Sequence, residues 1–143
     1  MTVVAEQKKL SAAEVQRILA TEEWDYADVK AIEIKPAKLS KTISAFANTA
    51  GGEIFIGIAE SKIGAKKTRV WAGFQDIEAA NAHLQVIETM GKLPNHYNAT
   101  FLSSGGKRGV VLHLVIQKTT AILSATDGVP YVRKGAHLAS SLN

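Results

Sequence analysis

Cysteine is missing altogether from this chain of 143 residues. Its absence removes disulfides, thiolate metal sites and cysteine nucleophiles together, and it agrees with a reducing compartment. Proline is scarce at three residues, and with 46% hydrophobic and 21% charged residues the chain is neither collagenous nor disordered. Long apolar runs are lacking too. The stretch Val110 to Ile116, interrupted by His113, falls far short of the ~18 residues that a membrane helix needs. Met1 to Leu10 has Glu6, Lys8 and Lys9 but no apolar signal core, so a cytoplasmic protein without a membrane partner is expected.

Several kinds of chemistry are missing as well. Neither G-x-x-x-x-G-K-[ST] nor G-x-G-x-x-G occurs, so no nucleotide cofactor is expected. His83, His96, His113 and His137 lack the pairing of a zinc site, and no G-x-S-x-G elbow marks a serine nucleophile. Gly51-Gly52 reads as a helix stop, since the negative end of a helix dipole repels phosphate.

What remains is a polarised distribution of charge. The net charge of +4 conceals a segment, residues 61–75, with four bases and no acid, and a stretch, residues 91–143, with six bases against Asp127 alone. Residues 1–60 are net acidic. Bases gathered in turn-like segments suit a polyanion, because those side chains reach solvent.

The elements alternate. Ser11-Ala12-Ala13-Glu14 fits a capping box ahead of Val15, Ile18 and Leu19. The alternation of Ala31 to Lys35 predicts a strand with Ile32 and Ile34 inward, ended by Pro36. Ser40 then caps a helix running to Thr49, and Glu53 to Ala59 reads as one doubly buried strand. Ser61 to Lys67 reads as a polar loop, Thr68 to Trp71 as a strand, and Asp76 begins a helix stopped by a left-handed Gly91. Ala99 to Ser103 and Gly109 to Gln117 form a hairpin with a basic tip, and Val129 to Arg133 is a last strand. The fold class is α+β: a single compact domain, with helices packed on a mixed central sheet that contains a strand-helix-strand unit. Residues 1–21 are expected as an N-terminal helical extension and 22–143 as the domain proper.

Around that unit lie the acids Asp28, Glu33 and Glu60. Clustered carboxylates can hold Mg²⁺ or Mn²⁺, and with Lys35 beside the phosphate they would make a nuclease. The alternative is that Glu33 simply pairs with an exposed base such as Lys35.

Three stretches carry a resemblance: Asp28 to Lys35; Ile43 to Gly52, with the specific AFANT-x-GG run from Ala45; and Ile54 to Ile58. With the closing Tyr131-x-Arg133-x-Gly135, residues 22–138 resemble the Schlafen-type AlbA-like domain. The resemblance implies a nucleic-acid-binding α+β domain of the kind that heads longer transcription regulators, of which this chain would be a fragment or a stand-alone module. For some members it also implies a metal-dependent endoribonuclease with a carboxylate trio. Two of those acids are five residues apart, on and before a Glu-x-Lys strand. Asp28 and Glu33 match the spacing, and Glu60 would be the third.

The leading expectation is a DNA- or RNA-binding module. Its phosphate contacts are Lys62, Lys66, Lys67, Arg69, Lys107, Arg108, Arg133 and Lys134, and Tyr131 stacks on a base. The alternatives are the Mg²⁺- or Mn²⁺-dependent nuclease and an interaction module forming a homodimer through a sheet edge.

Overall fold

The computed structural model describes residues 5–23, 26–91, 93, 95–135 and 137–140. Its strands are β1 (Glu6–Leu10), β2 (Ala27–Lys30), β3 (Gly52–Ile56), β4 (Ile58–Ile63), β5 (Lys66–Trp71), β6 (Tyr97–Ser104), β7 (Val111–Ile116), β8 (Tyr131–Lys134) and β9 (His137–Ser140). The helices are α1 (Ala12–Leu19), α2 (Pro36–Asn48) and α3 (Asn81–Glu88). Five strands form a mixed sheet in the order β1-β6-β7-β3-β2, in which β1–β6 and β2–β3 are parallel. Two separate hairpins, β4–β5 and β8–β9, complete the α+β fold. No helix among the described residues is long and apolar enough to cross a membrane.

Strand parity divides the sheet into two faces. Ile54, Ile56, Leu112, Leu114 and Phe101 pack on one side against Leu39, Ile43 and Phe46 of α2 and Ile87 of α3. Phe55, Val111 and Leu102 face the other way, onto Val15 of α1 and onto Ile58 and Trp71 at the root of β4–β5. Both parts of the capping box of α1 are made: the Glu14 amide donates to Ser11 Oγ at 3.2 Å and the Ser11 amide donates to Glu14 Oε1 at 3.1 Å.

On that second face His113 stacks on Phe55 at 4.3 Å, and its Nε2 donates to Glu53 Oε1 at 2.9 Å. Burial pushes the imidazole below its ordinary value, and the bond and charge of Glu53 pull upward without overcoming it. The unfolded chain therefore binds this proton at a higher pH than the folded one. Stability is expected to fall as pH drops below the ordinary value of about 6.5 and to level off beneath the folded value. Urea midpoints measured across that window test this, and His113→Gln should flatten the histidine contribution.

Several expectations are corrected. Residues 31–34 form a turn, not a strand; the strand is Ala27–Lys30. Ile32 and Ile34 still reach the core, but from that turn. Pro36 does not end a strand. It opens α2 from its first turn, where a missing N–H leaves nothing unsatisfied, so the helix starts four residues before Ser40. The apolar run after Glu53 is two strands broken at Gly57 (φ 126°), where a Cβ would meet the Val111 side chain at 3.0 Å. The loop expected at 61–67 is the distal part of a hairpin. Helix α3 ends through Thr89, and the left-handed residue beyond it is Asn95 (φ 74°), not Gly91. Among the described residues of the expected helical extension, Glu6–Leu10 form β1, an edge strand of the main sheet. Gly51, by contrast, stops α2 as expected, with φ 75° and its amide donating to Phe46 O.

The segment after β7 is fixed to α2 and its C-cap mainly by side chains. Four backbone amides, those of Thr126, Tyr131, Leu123 and Arg133, donate respectively to Ser40 Oγ, Ser44 Oγ, Asn48 Oδ1 and Thr49 Oγ1. The Asn48 amide nitrogen also donates to the carbonyls of Leu123 and Tyr131, at 2.8 and 2.9 Å.

Candidate nucleic-acid interface

The cationic hairpin begins where β3 ends. Ile58 and Trp71, paired across β4–β5, are buried at its root, and residues 61 to 68 are all exposed beyond it. Gly64-Ala65 makes the two-residue turn, with Gly64 at φ 61°, as turns with glycine in first place require. Side chains alternate between two faces of this arm. One carries Glu60 opposite Arg69 and Lys62 opposite Lys67; the other carries Val70, the Ser61–Thr68 hydroxyl bond of 2.7 Å, and Ile63 opposite Lys66. Arg69 Nε donates to Glu60 Oε2 at 3.3 Å and the Lys67 ammonium is 3.9 Å from the same oxygen. Lys62 lies level with Lys67, Lys66 lies one step nearer the tip, and all three are exposed.

The arm is tied at its root to the β6–β7 turn. Trp71 Nε1 donates to Gly109 O at 3.3 Å, and Phe74 and Val110 exchange backbone bonds of 2.8 and 2.9 Å. Lys107 and Arg108, exposed on that turn, therefore emerge from the same end of the sheet as Lys62, Lys66 and Lys67.

The remaining cationic candidates are elsewhere. Arg133 is only 5% exposed: its guanidinium is 3.5 Å from Asp28 Oδ2, donates to Ala27 O at 3.1 Å and lies 4.5 Å from the centre of the Phe46 ring. These contacts engage the start of β2, at the opposite end of the sheet from the arm. The expected phosphate contact is thus an interior clamp. Tyr131 is half-buried, with its hydroxyl donating to Asp127 Oδ2 at 2.7 Å and the Lys41 ammonium 5.7 Å from its ring centre. That bond lifts the phenol above its ordinary pKa and holds the Asp127 carboxyl below its own. Lys134 is exposed, on the same hairpin. The AFANT and Tyr-x-Arg-x-Gly elements are therefore bonded to each other, through Asn48 to Tyr131 and Thr49 to Arg133.

The carboxylates do not meet. Asp28 is 2% exposed and 3.1 Å from the Lys30 ammonium as well as near Arg133. Glu33 is exposed on the turn after β2, Lys35 is the exposed N-cap of α2, and Glu60 is engaged by Arg69 and Lys67. No group of three or more His, Cys, Asp or Glu among the described residues could hold a metal ion. Asp28, Glu33 and Glu60 thus do not fit Mg²⁺ or Mn²⁺ as a trio. The acid-x-Lys triplet on the strand is Asp28-Val29-Lys30, and Glu33-Ile34-Lys35 lies in the turn after it and at the N-cap of α2. Local alternation placed the strand five residues too late because Ile32 and Ile34 look strand-like, whereas Asp28 and Lys30 are accommodated in the sheet through each other and Arg133.

Two solved structures share the fold. One is the crystal structure of the DIP2311 protein from Corynebacterium diphtheriae, 17% identical with a TM-score of 0.58; the alignment covers 90% of this chain and 29% of that one. The other is the solution structure of the N-terminal domain of a Nitrosomonas europaea protein named for its relation to the ATP-dependent DNA helicase RecG. It is 17% identical with a TM-score of 0.56, over 81% of this chain and 80% of that one. This chain thus spans less than a third of the Corynebacterium protein. No similar curated protein was found. The family model for Schlafen, AlbA_2 matches residues 23–140, a span that takes in β2, α2, the cationic arm and the β8 clamp, and the chain belongs to that family.

Proposed function

We propose that this domain binds nucleic acid, holding the sugar-phosphate backbone with the cationic end of its sheet. The observation that carries the reading is the junction of Trp71 with Gly109, which roots the arm bearing Lys62, Lys66 and Lys67 beside the turn that bears Lys107 and Arg108. Among these five, only Lys67 has an acid within 4 Å in the ion pairs described, so their charge is available to an anion. The family and the RecG-related name of one structural neighbour agree with a nucleic-acid target, and the latter favours DNA. Service as the DNA-holding part of a transcription regulator is the finer form of the proposal.

Contacts of this kind are made to phosphates and position a protein without reading sequence. Five such contacts predict that the logarithm of duplex affinity falls with the logarithm of salt concentration at a slope of about −4 to −5. Fluorescence anisotropy of labelled duplex across a salt series measures the slope. A flat response, or no retention of duplex at low salt, would refute the reading.

A further inference from the structure

The arm keeps two features that do nothing for its own stability. Lys62 and Lys67 stand directly opposite each other, an arrangement that costs stability in a sheet. Ile63, the last residue before the turn, is 79% exposed and belongs to neither core. An apolar tip flanked by ammonium groups is complementary to a groove with anionic walls and a base-stacked floor. The exposed part of the arm, residues 61 to 68, contains no Asn, Gln or Arg, which leaves lysine alone for paired hydrogen bonds with base edges. Its chemistry is therefore that of charge and insertion.

The dimensions agree. Beyond the Glu60–Arg69 ion pair the strand runs three residues to Ile63, a reach of about 10 Å. The minor groove of B-form DNA is about 7.5 Å deep. The arm is also stiffened before it meets a partner, by its ion pair, the Ser61–Thr68 bond and the two-residue turn, so little order is lost on insertion. The minor groove of A-form RNA is wide and shallow and offers such a tip no close walls.

We propose that Ile63 is a wedge that enters a base step of duplex DNA from the minor groove and kinks the helix, while Lys62, Lys66 and Lys67 follow the phosphates of the groove walls. Flexible pyrimidine-purine steps are the favoured targets, because unstacking them costs least. This inference rests on the nucleic-acid-binding reading above.

The test uses the whole chain and a short duplex with 2-aminopurine beside a central TA step and a donor-acceptor dye pair at its ends. Binding should raise the 2-aminopurine emission and bring the ends closer. Ile63→Ser, a change on an exposed side chain that leaves both cores untouched, should abolish the rise and weaken binding by no more than about tenfold, because the burial of one aliphatic side chain is offset in part by the cost of unstacking. Duplex bound with a normal salt slope but no rise in emission would overturn the wedge and leave the binding reading standing. An equal rise with Ile63→Ser would do the same, as would tighter retention of an RNA hairpin with no unstacking of DNA. Failure to bind duplex at any salt concentration would overturn both.

Discussion

Replacing Lys62, Lys66 and Lys67 together with Gln lowers duplex affinity by about 10²- to 10³-fold at 0.1 M salt, and the deficit shrinks towards nothing near 1 M. The size follows from counterion release: each lysine that no longer neutralises a phosphate takes about 0.9 from the log-log salt slope, so three remove nearly 3. Folding should be unaffected, because these side chains are exposed and the arm is rooted by Ile58 and Trp71. Removing the Lys62–Lys67 opposition should even stabilise the hairpin slightly. Anisotropy titrations of both proteins at several salt concentrations provide the measurement. Parallel lines for the two would assign the binding surface elsewhere, whereas convergence at high salt is the electrostatic signature.

The second large effect is on stability. Arg133→Ala should destabilise the domain by about 3 kcal/mol, the lower end of the range for breaking a buried ion pair, because Lys30 remains 3.1 Å from Asp28 to carry part of its charge. The change also removes the guanidinium from the Phe46 ring and its bond to Ala27 O. Against a total stability of roughly 5 to 15 kcal/mol, such a decrease is readily seen in urea unfolding. In an Asp28→Asn background the same substitution should cost distinctly less, since no buried carboxylate is then deprived of its partner. A full-sized decrease in that background would assign the effect to packing. Were Arg133 instead a phosphate contact, its removal would flatten the salt slope and spare the urea midpoint.

The contrast between Arg133 and the arm lysines shows how far the sequence could be read. Features decided within a few residues were legible: Ser11 and Glu14 close a capping box, Gly51 stops α2, and the fold class follows from the alternation of elements. Lys62, Lys66 and Lys67 were legible as a solvent-facing group, whereas Arg69 is largely buried against Glu60; the hairpin itself was not legible, since the burial of Ile58 and Trp71 at its root depends on the distant Val111 and Leu102. Strands whose acceptability is established far away were missed. β1 reads as Glu-Gln-Lys-Lys-Leu, with Leu10 alone buried, and suits an edge position that charged residues protect from further pairing. β2 carries a buried carboxylate whose second cation comes from a residue 105 positions later. The same distance explains the failure of the carboxylate trio: spacing along the chain matched, but Glu33 and Lys35 lie beyond the strand that was expected to display them.

The four amides that end on Ser40, Ser44, Asn48 and Thr49 have a mechanical consequence. A ladder strand shares its hydrogen bonds with neighbours on a common sheet, but these four bonds zip the segment to one helix and its C-cap through hydroxyl and carboxamide groups, with Arg133 as a further anchor on β2. None of these bonds belongs to the central five-stranded ladder, so losing them together would leave that ladder paired. Asp28 would lose Arg133 in the same event, so opening the zip and uncovering a buried carboxylate are one transition.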